Sequence, residues 1–248
     1  QAGALPSGSV DALHVDAQGR LWLASQGARL SRVDPGSEAF RPIDLPQLAT
    51  GAAVEIWSIS STPGRVWIGG FGTGLVELDA DGRWIAAHGQ EAGLSGPDVA
   101  DVVGTSMGQV WLLDLERRLG VFDAAEARFH AVPGATNVLG LGAQGEGIAY
   151  TTRDGRACQV DARLMPHCVA RWQLGQPGAL RLVLPNRRGL WLGGLGELVT
   201  IGEGRQHVHV HRPGAAGGLP REQLWTGLED REGGLWLGSF GGGLLHLP

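Results

Sequence analysis

The 248-residue sequence holds one tyrosine, two methionines, two cysteines and five phenylalanines. It has no run of about 18 apolar residues, so no segment is read as spanning a membrane. Lysine and arginine number 20 against 25 acidic residues, a net charge of -5. No long basic run occurs, and nucleic-acid phosphates call for clustered cations, so nucleic acid is excluded as a partner. Also missing are a Gly-x-Ser-x-Gly elbow, a phosphate-binding glycine loop and a His-Glu-x-x-His run. Those absences predict a chain that is not an enzyme and carries no cofactor. The chain starts at Gln1, without an initiator Met or a signal-peptide pattern, as expected of a processed protein or an excised fragment.

What is abundant is glycine, 42 residues, and tryptophan, nine. The glycine share is more than twice the roughly 7% of an average protein and signals either disorder or frequent turns. The tryptophans, with abundant Leu and Val, argue against disorder. A repeat explains both. GRLWLAS, GRVWIGG, GQVWLLD, EGIAYTT, RGLWLGG and GGLWLGS place an aromatic at Trp22, Trp67, Trp111, Tyr150, Trp191 and Trp236. A second landmark, Asp34, Asp79, Asp123, Asp161, Gly202 and Pro248, follows each aromatic by eleven or twelve residues.

Around each aromatic the apolar residues alternate as in strands, and no helical period competes. Each copy reads as four short strands separated by Gly, Pro, Asn and Asp turns. A four-stranded unit of about 40 to 50 residues is a propeller blade. The expected fold is all-β: a single β-propeller domain over 1–248, with blade repeats at approximately 5–46, 47–92, 93–134, 135–175, 176–215 and 216–248. The sixth repeat reads as lacking its outer strand, so the six copies form a complete ring or part of a larger propeller. The repeated aromatics read as wedges between blades.

ALPSGSVDALHVDAQGRLWLASQG and GLPREQLWTGLEDREGGLWLGSFGGGL carry a Leu-Pro opening, a strand, an Asp and Gly turn, and a Leu-Trp-Leu-Ala or Leu-Trp-Leu-Gly run. In this the chain resembles the two-component regulator propeller family. The resemblance implies an extracytoplasmic sensor region of a bacterial signalling protein, joined elsewhere to a histidine kinase or diguanylate cyclase. A periplasmic or extracellular location follows from it. The Gly-x-Leu-Trp element is also similar to the streptogramin-inactivating propeller lyases, which need His and Glu on one face and a magnesium ion. Here His14 is the one histidine on an inner strand that stands out. A protein-interaction scaffold, including a homodimer, is the third reading.

Function is expected where the copies disagree, on the loops entering the inner strand and those joining the second and third strands. There stand Glu55 and Trp57 in copy 2, Arg117 in copy 3, Arg153 in copy 4, and Arg221 and Trp225 in copy 6, with Phe71 and Phe240 as weaker candidates. Aromatic faces beside Arg and Glu suit a small polar ligand with apolar faces, such as a carbohydrate or a peptide. His207, His209 and His211 share one strand face and could ligate a metal, but the exposed face of an outermost strand is the plainer reading, and no metal site is assigned. Recurrent Asp16, Asp34, Asp79, Asp123, Asp161 and Asp230 read as turn caps rather than catalysts. Cys158 and Cys168, ten residues apart across a turn, could pair as a disulfide or remain separate thiols.

Overall fold

A computed structural model describes residues 10–45, 48, 53–144, 147–161, 163–171, 180–186, 189–202, 205–210, 219, 221–230, 232–239 and 241–247. By its contacts the chain divides into two compact units, Gln1–Val132 and Pro133–Pro248. Each contains three antiparallel sheets whose strands follow one another in chain order.

In the first unit, sheet one is β1 (Val10–Val15), β2 (Leu21–Ser25), β3 (Arg29–Val33) and β4 (Arg41–Ile43). Sheet two is β5 (Glu55–Thr62), β6 (Arg65–Phe71), β7 (Leu75–Asp79) and β8 (Trp84–His88). Sheet three is β9 (Val99–Gly104), β10 (Val110–Asp114), β11 (Leu119–Asp123) and β12 (Arg128–Ala131). Second strands such as LWLAS and VWLLD alternate little because both of their faces are covered. Trp22 is fully buried and packs with Ile56, Ile59, Val66 and Ile68 of sheet two. Trp67 clusters with Val99, Val102, Val110 and Leu112 of sheet three in the same way. In these sheets the repeated Trp is thus the wedge against the next sheet, and burying such a ring is among the largest single apolar contributions a side chain makes.

The turns ahead of the wedge are built by carboxylates. Asp16 Oδ1 accepts from the Gln18 and Arg20 amides, both at 3.0 Å, while Oδ2 accepts from Trp22 Nε1 at 2.8 Å and Arg20 Nε at 2.7 Å. Burial pushes this carboxyl up, but the Trp22 and Arg20 donors with the Arg20 charge hold it below its ordinary value. Asp230 repeats the arrangement with Glu232, Gly234 and Trp236. Asp79, Asp123 and Asp161 cap later turns through backbone amides, whereas Asp34 uses its carboxylate on Arg32 and Arg41. Asp16→Ala should therefore lower stability by about 2 kcal/mol, because it leaves the Trp22 N–H buried without an acceptor. Asp34→Ala should cost less, about 1 kcal/mol, since its ion pairs with Arg32 and Arg41 keep partial access to solvent. Urea unfolding of the two variants checks the contrast.

In the second unit, sheet four is β13 (Val138–Gln144), β14 (Gly147–Thr152), β15 (Arg156–Val160) and β16 (Pro166–Arg171). Sheet five is β17 (Leu182–Asn186), β18 (Gly189–Gly193), β19 (Glu197–Gly202) and β20 (Arg205–Val210). Sheet six has three described strands, β21 (Leu224–Glu229), β22 (Leu235–Ser239) and β23 (Gly243–Leu247). Cys158 and Cys168 are partners across β15 and β16 and form a disulfide.

The register of sheet four corrects one sequence expectation. Counted four residues on from Val10, Ile56, Leu180 and Val138, each the residue ahead of a register shift in its sheet, Trp22 pairs with His14, Trp67 with Ser60 and Trp191 with Leu184, and the matching pair in sheet four is Ala149 with Gly142. Tyr150 pairs with Leu141, one residue further along. A slip of one residue reverses the face of a side chain, so Tyr150 is not the wedge. Ala149 holds that place, buried among Leu180, Val183, Leu190 and Leu192 of sheet five. With so little bulk between them, β13 and β17 run close: a Cβ on Gly140 would overlap the carbonyl of Arg181.

Candidate functional site

The first strand of each sheet begins with the same irregularity. In sheet two Ile56 pairs with Gly70 and Ser58 with Gly69, so Trp57 is an extra, bulged residue. The same step makes the strand register skip Asp11 in sheet one, Ala100 in sheet three, Leu139 in sheet four and Trp225 in sheet six. In sheet five Arg181 and Leu182 both address Gly193, through a 3.0 Å amide bond and through strand pairing respectively. The residue before the bulge is a buried aliphatic in five sheets: Ile56, Val99, Val138, Leu180 and Leu224. That residue anchors the strand, while the bulge re-aims the next side chain, as bulges beside binding sites do. The bulge residues vary in chemistry, with Trp recurring in sheets two and six, whereas the anchors of these five sheets are all aliphatic.

At the second sheet the bulge builds a small platform. Trp57 is 37% exposed, and its Nε1 donates to Glu55 Oε2 at 3.0 Å. Phe71, paired with Glu55 across the strands, sets its ring 6.0 Å from that of Trp57 at 39°. Between them, Gly70 has no room for a side chain, since a Cβ would overlap the Glu55 carbonyl. The following turn is tied to the third sheet's entry loop, where the Gly72 amide donates to Asp98 Oδ1 and the Gly74 amide to the Pro97 carbonyl, both at 2.7 Å.

Beside Trp57, Ser58 Oγ donates to Asp101 Oδ1 at 2.8 Å, and the Val102 amide donates to the same oxygen at 2.9 Å. Burial nevertheless pushes the Asp101 carboxyl up to about 6, against the pull of those bonds and of the Arg117 charge. Arg117 sits in the turn after β10 with φ 62°, its amide donating to the Asp114 carbonyl at 3.0 Å. Glu55, Trp57, Phe71 and Arg117 therefore stand at the same ends of neighbouring sheets, and Asp101 joins them as a residue missed in the sequence. Its signal was an acidic residue inside the apolar run VADVV.

In the second unit, Trp225 is 50% exposed, and the Arg181 guanidinium lies 4.8 Å from its ring centroid. Cations over an indole face are attracted by its quadrupole. Arg221 is exposed four residues upstream. Arg181 was missed because its copy has no Leu-Pro opening to mark the strand's start. Arg153 follows β14, with its amide donating to the Asn137 carbonyl at 2.9 Å, and lines a cavity of about 450 Å³ on the Tyr150 face of sheet four. The candidates thus fall into three groups: the Trp57 platform with Arg117, the Arg181–Trp225 stack near Arg221, and the Arg153 cavity.

His14 belongs to none of these groups. Its Nε2 lies 2.8 Å from Ser61 Oγ, and burial holds its pKa below the ordinary imidazole value. His207 and His209 stand in β20, paired with Thr200 and Leu198. His211 and Phe240 lie outside the described residues. Among the described residues no three His, Cys, Asp or Glu side chains converge as a metal site, and no helix is long and apolar enough to cross a membrane.

Known structures share this architecture. The extracellular domain of BT4673 from B. thetaiotaomicron, described as a one component system, superposes with a TM-score of 0.73 at 14% identity over 98% of this chain and 34% of its own. This chain thus spans about a third of the length of that protein's structure. A streptogramin B lyase matches with a TM-score of 0.73 at 12% identity, over 98% of this chain and 80% of its own. YCF48 bound to the D1 peptide matches with a TM-score of 0.69 at 13% identity, over 99% of this chain and 84% of its own. No curated protein matches the sequence. At these identities the likeness shows the fold, and the six sheets are the blades of a β-propeller. Residues 4–27 match the family model described as two component regulator propeller, so the chain is an all-β propeller that carries the repeat of that family.

Proposed function

We propose that this propeller is the ligand-receiving part of an extracytoplasmic signalling protein and is not itself a catalyst. The observation that carries the reading is the repeated bulge: a structurally constant position at the same end of each sheet holds Asp11, Trp57, Ala100, Leu139, Arg181 and Trp225 in turn, five residue types in six sheets. A rigid scaffold with variable presented side chains is how recognition sites are built. Support for location and role comes from the extracellular domain of BT4673, which has the same fold, and from the disulfide, a bond that persists in oxidising compartments. Any output domain would lie outside these 248 residues.

The ligand is a small polar molecule with apolar faces, a carbohydrate or a peptide, received on Trp57 and Phe71. The Glu55 carboxylate holds the indole edge and offers a further acceptor. Arg117, Arg221 and Trp225 belong to the same presented ends. Peptide binding has a parallel in YCF48, a propeller bound to the D1 peptide. A screen of oligosaccharides and peptides by thermal shift, followed by calorimetric titration, tests the reading. Trp57→Ala should weaken the ligand found by about tenfold or more, as truncating an aromatic anchor does. Unchanged affinity in Trp57→Ala and Trp225→Ala would remove the bulge residues from the site.

The likeness to a streptogramin B lyase supports a second reading, a propeller enzyme. Magnesium-dependent turnover of a cyclic depsipeptide would decide for it. Mass in solution over a range of concentrations tests a homodimeric or scaffold role.

A further inference from the structure

We infer that the cavity on the Tyr150 face of sheet four is a binding site for a small organic carboxylate, anchored by Arg153. The site stands apart from the Trp57 platform, and the inference does not rest on the reading proposed for that platform. Thr136 and Asn137 enter the cavity wall ahead of β13, Tyr150 comes from β14, Arg153 and Arg156 from the turn after it, and the disulfide closes one side.

Two of these groups are open to a ligand. Tyr150 is 2% exposed as a residue, its ring covered, while its hydroxyl reaches the cavity and is bonded by no protein group among the described residues. A phenol hydroxyl on a cavity wall can donate to an acceptor on a molecule bound there. Burial pushes its pKa up, with Arg156 opposing, so it stays protonated at neutral pH. The Arg153 guanidinium likewise makes no ion pair or hydrogen bond among the described residues, while its backbone is pinned to Asn137. Arg156, by contrast, is engaged by Asp154, with Nε 2.8 Å from Oδ2.

These charges select the ligand. Arg153 and Arg156 against Asp154 leave one positive charge on the cavity wall. A monoanion satisfies it, whereas a dianion would also face the Asp154 carboxylate. A carboxylate matches the guanidinium fork and accepts from a phenol. The Tyr150 ring and the disulfide sulfurs give the rest of such a molecule an apolar side, and a cavity of this volume holds more than a two-carbon acid. The slipped register supplies the site: it turns the tyrosine away from sheet five and onto the cavity.

Calorimetric titration with acetate, galacturonate and inorganic phosphate, at neutral pH and low salt, tests this. Saturable binding of a carboxylate is expected, with galacturonate tighter if the natural ligand is a sugar acid and acetate comparable if it is a short free acid. Arg153→Gln should weaken that binding about tenfold, and Tyr150→Phe a fewfold, with Arg83→Gln unchanged. Arg153 is exposed, and circular dichroism verifies that the variants fold. Three results would each overturn the inference: no saturable binding of either acid up to about 100 mM, tighter binding of phosphate than of both acids, or equal affinity in Arg153→Gln and Tyr150→Phe.

Discussion

Ala149→Trp, which restores the aromatic of the other repeats at its true structural position, is expected to destabilise the protein by about 3 kcal/mol or more. Ala149 is fully buried against Leu180, Val183 and Leu192, and Gly142 and Gly140 beside it admit the backbone of β17 with no space to spare. An indole there would need sheets four and five to part, which closely packed interiors resist. Tyr150→Trp, the change a sequence alignment would recommend, falls on the cavity face instead. It should cost less than about 1.5 kcal/mol, since the aromatic replaced is similar in kind and empty volume lies alongside. Urea denaturation midpoints of the two variants decide the matter. If Ala149→Trp were the milder, the register assigned to sheet four would be wrong.

Asp101 is expected to give the protein a stability that falls as pH rises from about 4 to about 6. A carboxyl raised in the folded state from the ordinary 3.8 to about 6 is protonated in both states below that window, where it carries no penalty. Above it the group is ionised in both, and the cost of holding that charge in a buried place is complete. The gap converts to ~3 kcal/mol. Asp101→Asn should abolish the slope and stabilise the protein at pH 7 by about 1 to 3 kcal/mol, because an amide oxygen can keep the Ser58 and Val102 donors. Asp16, Asp79 and Asp230 contribute with the opposite sign: their folded values are lowered, so their stabilisation is lost as pH falls through the acid range. Unfolding free energy of wild type and Asp101→Asn, measured at intervals from pH 4 to pH 8, isolates the Asp101 component by difference. Parallel curves would refute it.

Asp101 also joins the Trp57 platform to the third sheet, because Ser58 bonds it from the strand that carries Trp57. Ligands that press on the platform will feel its protonation. Binding should be compared at pH 5 and pH 7 before any affinity is interpreted.

How far the sequence reached depended on whether a residue was repeated. The wedge tryptophans and the turn carboxylates recur at a similar spacing because every copy must cover its neighbour and close the same turn, so Trp22, Trp67 and Asp16 were legible as structure. Trp57 and Trp225 were legible as candidates because they break the pattern. That both occupy a bulge, and that Arg181 and Asp11 occupy the same slot, was not legible. A bulge is one unpaired residue, and only strand pairing reveals which one.

The amino-acid order by itself determined an all-β propeller of six repeats, since the period, the alternation and the turn residues are local properties that each copy restates. Tertiary structure decided the rest. Whether Ala149 or Tyr150 faces the next sheet depends on a one-residue register between strands, and the aromatic that sequence spacing selects is the one that pairing turns away. The pairing of Cys158 with Cys168, the burial that raises Asp101 and the cavity beside Arg153 likewise arise from residues brought together across strands. Such contacts have no spacing of their own for a sequence to display.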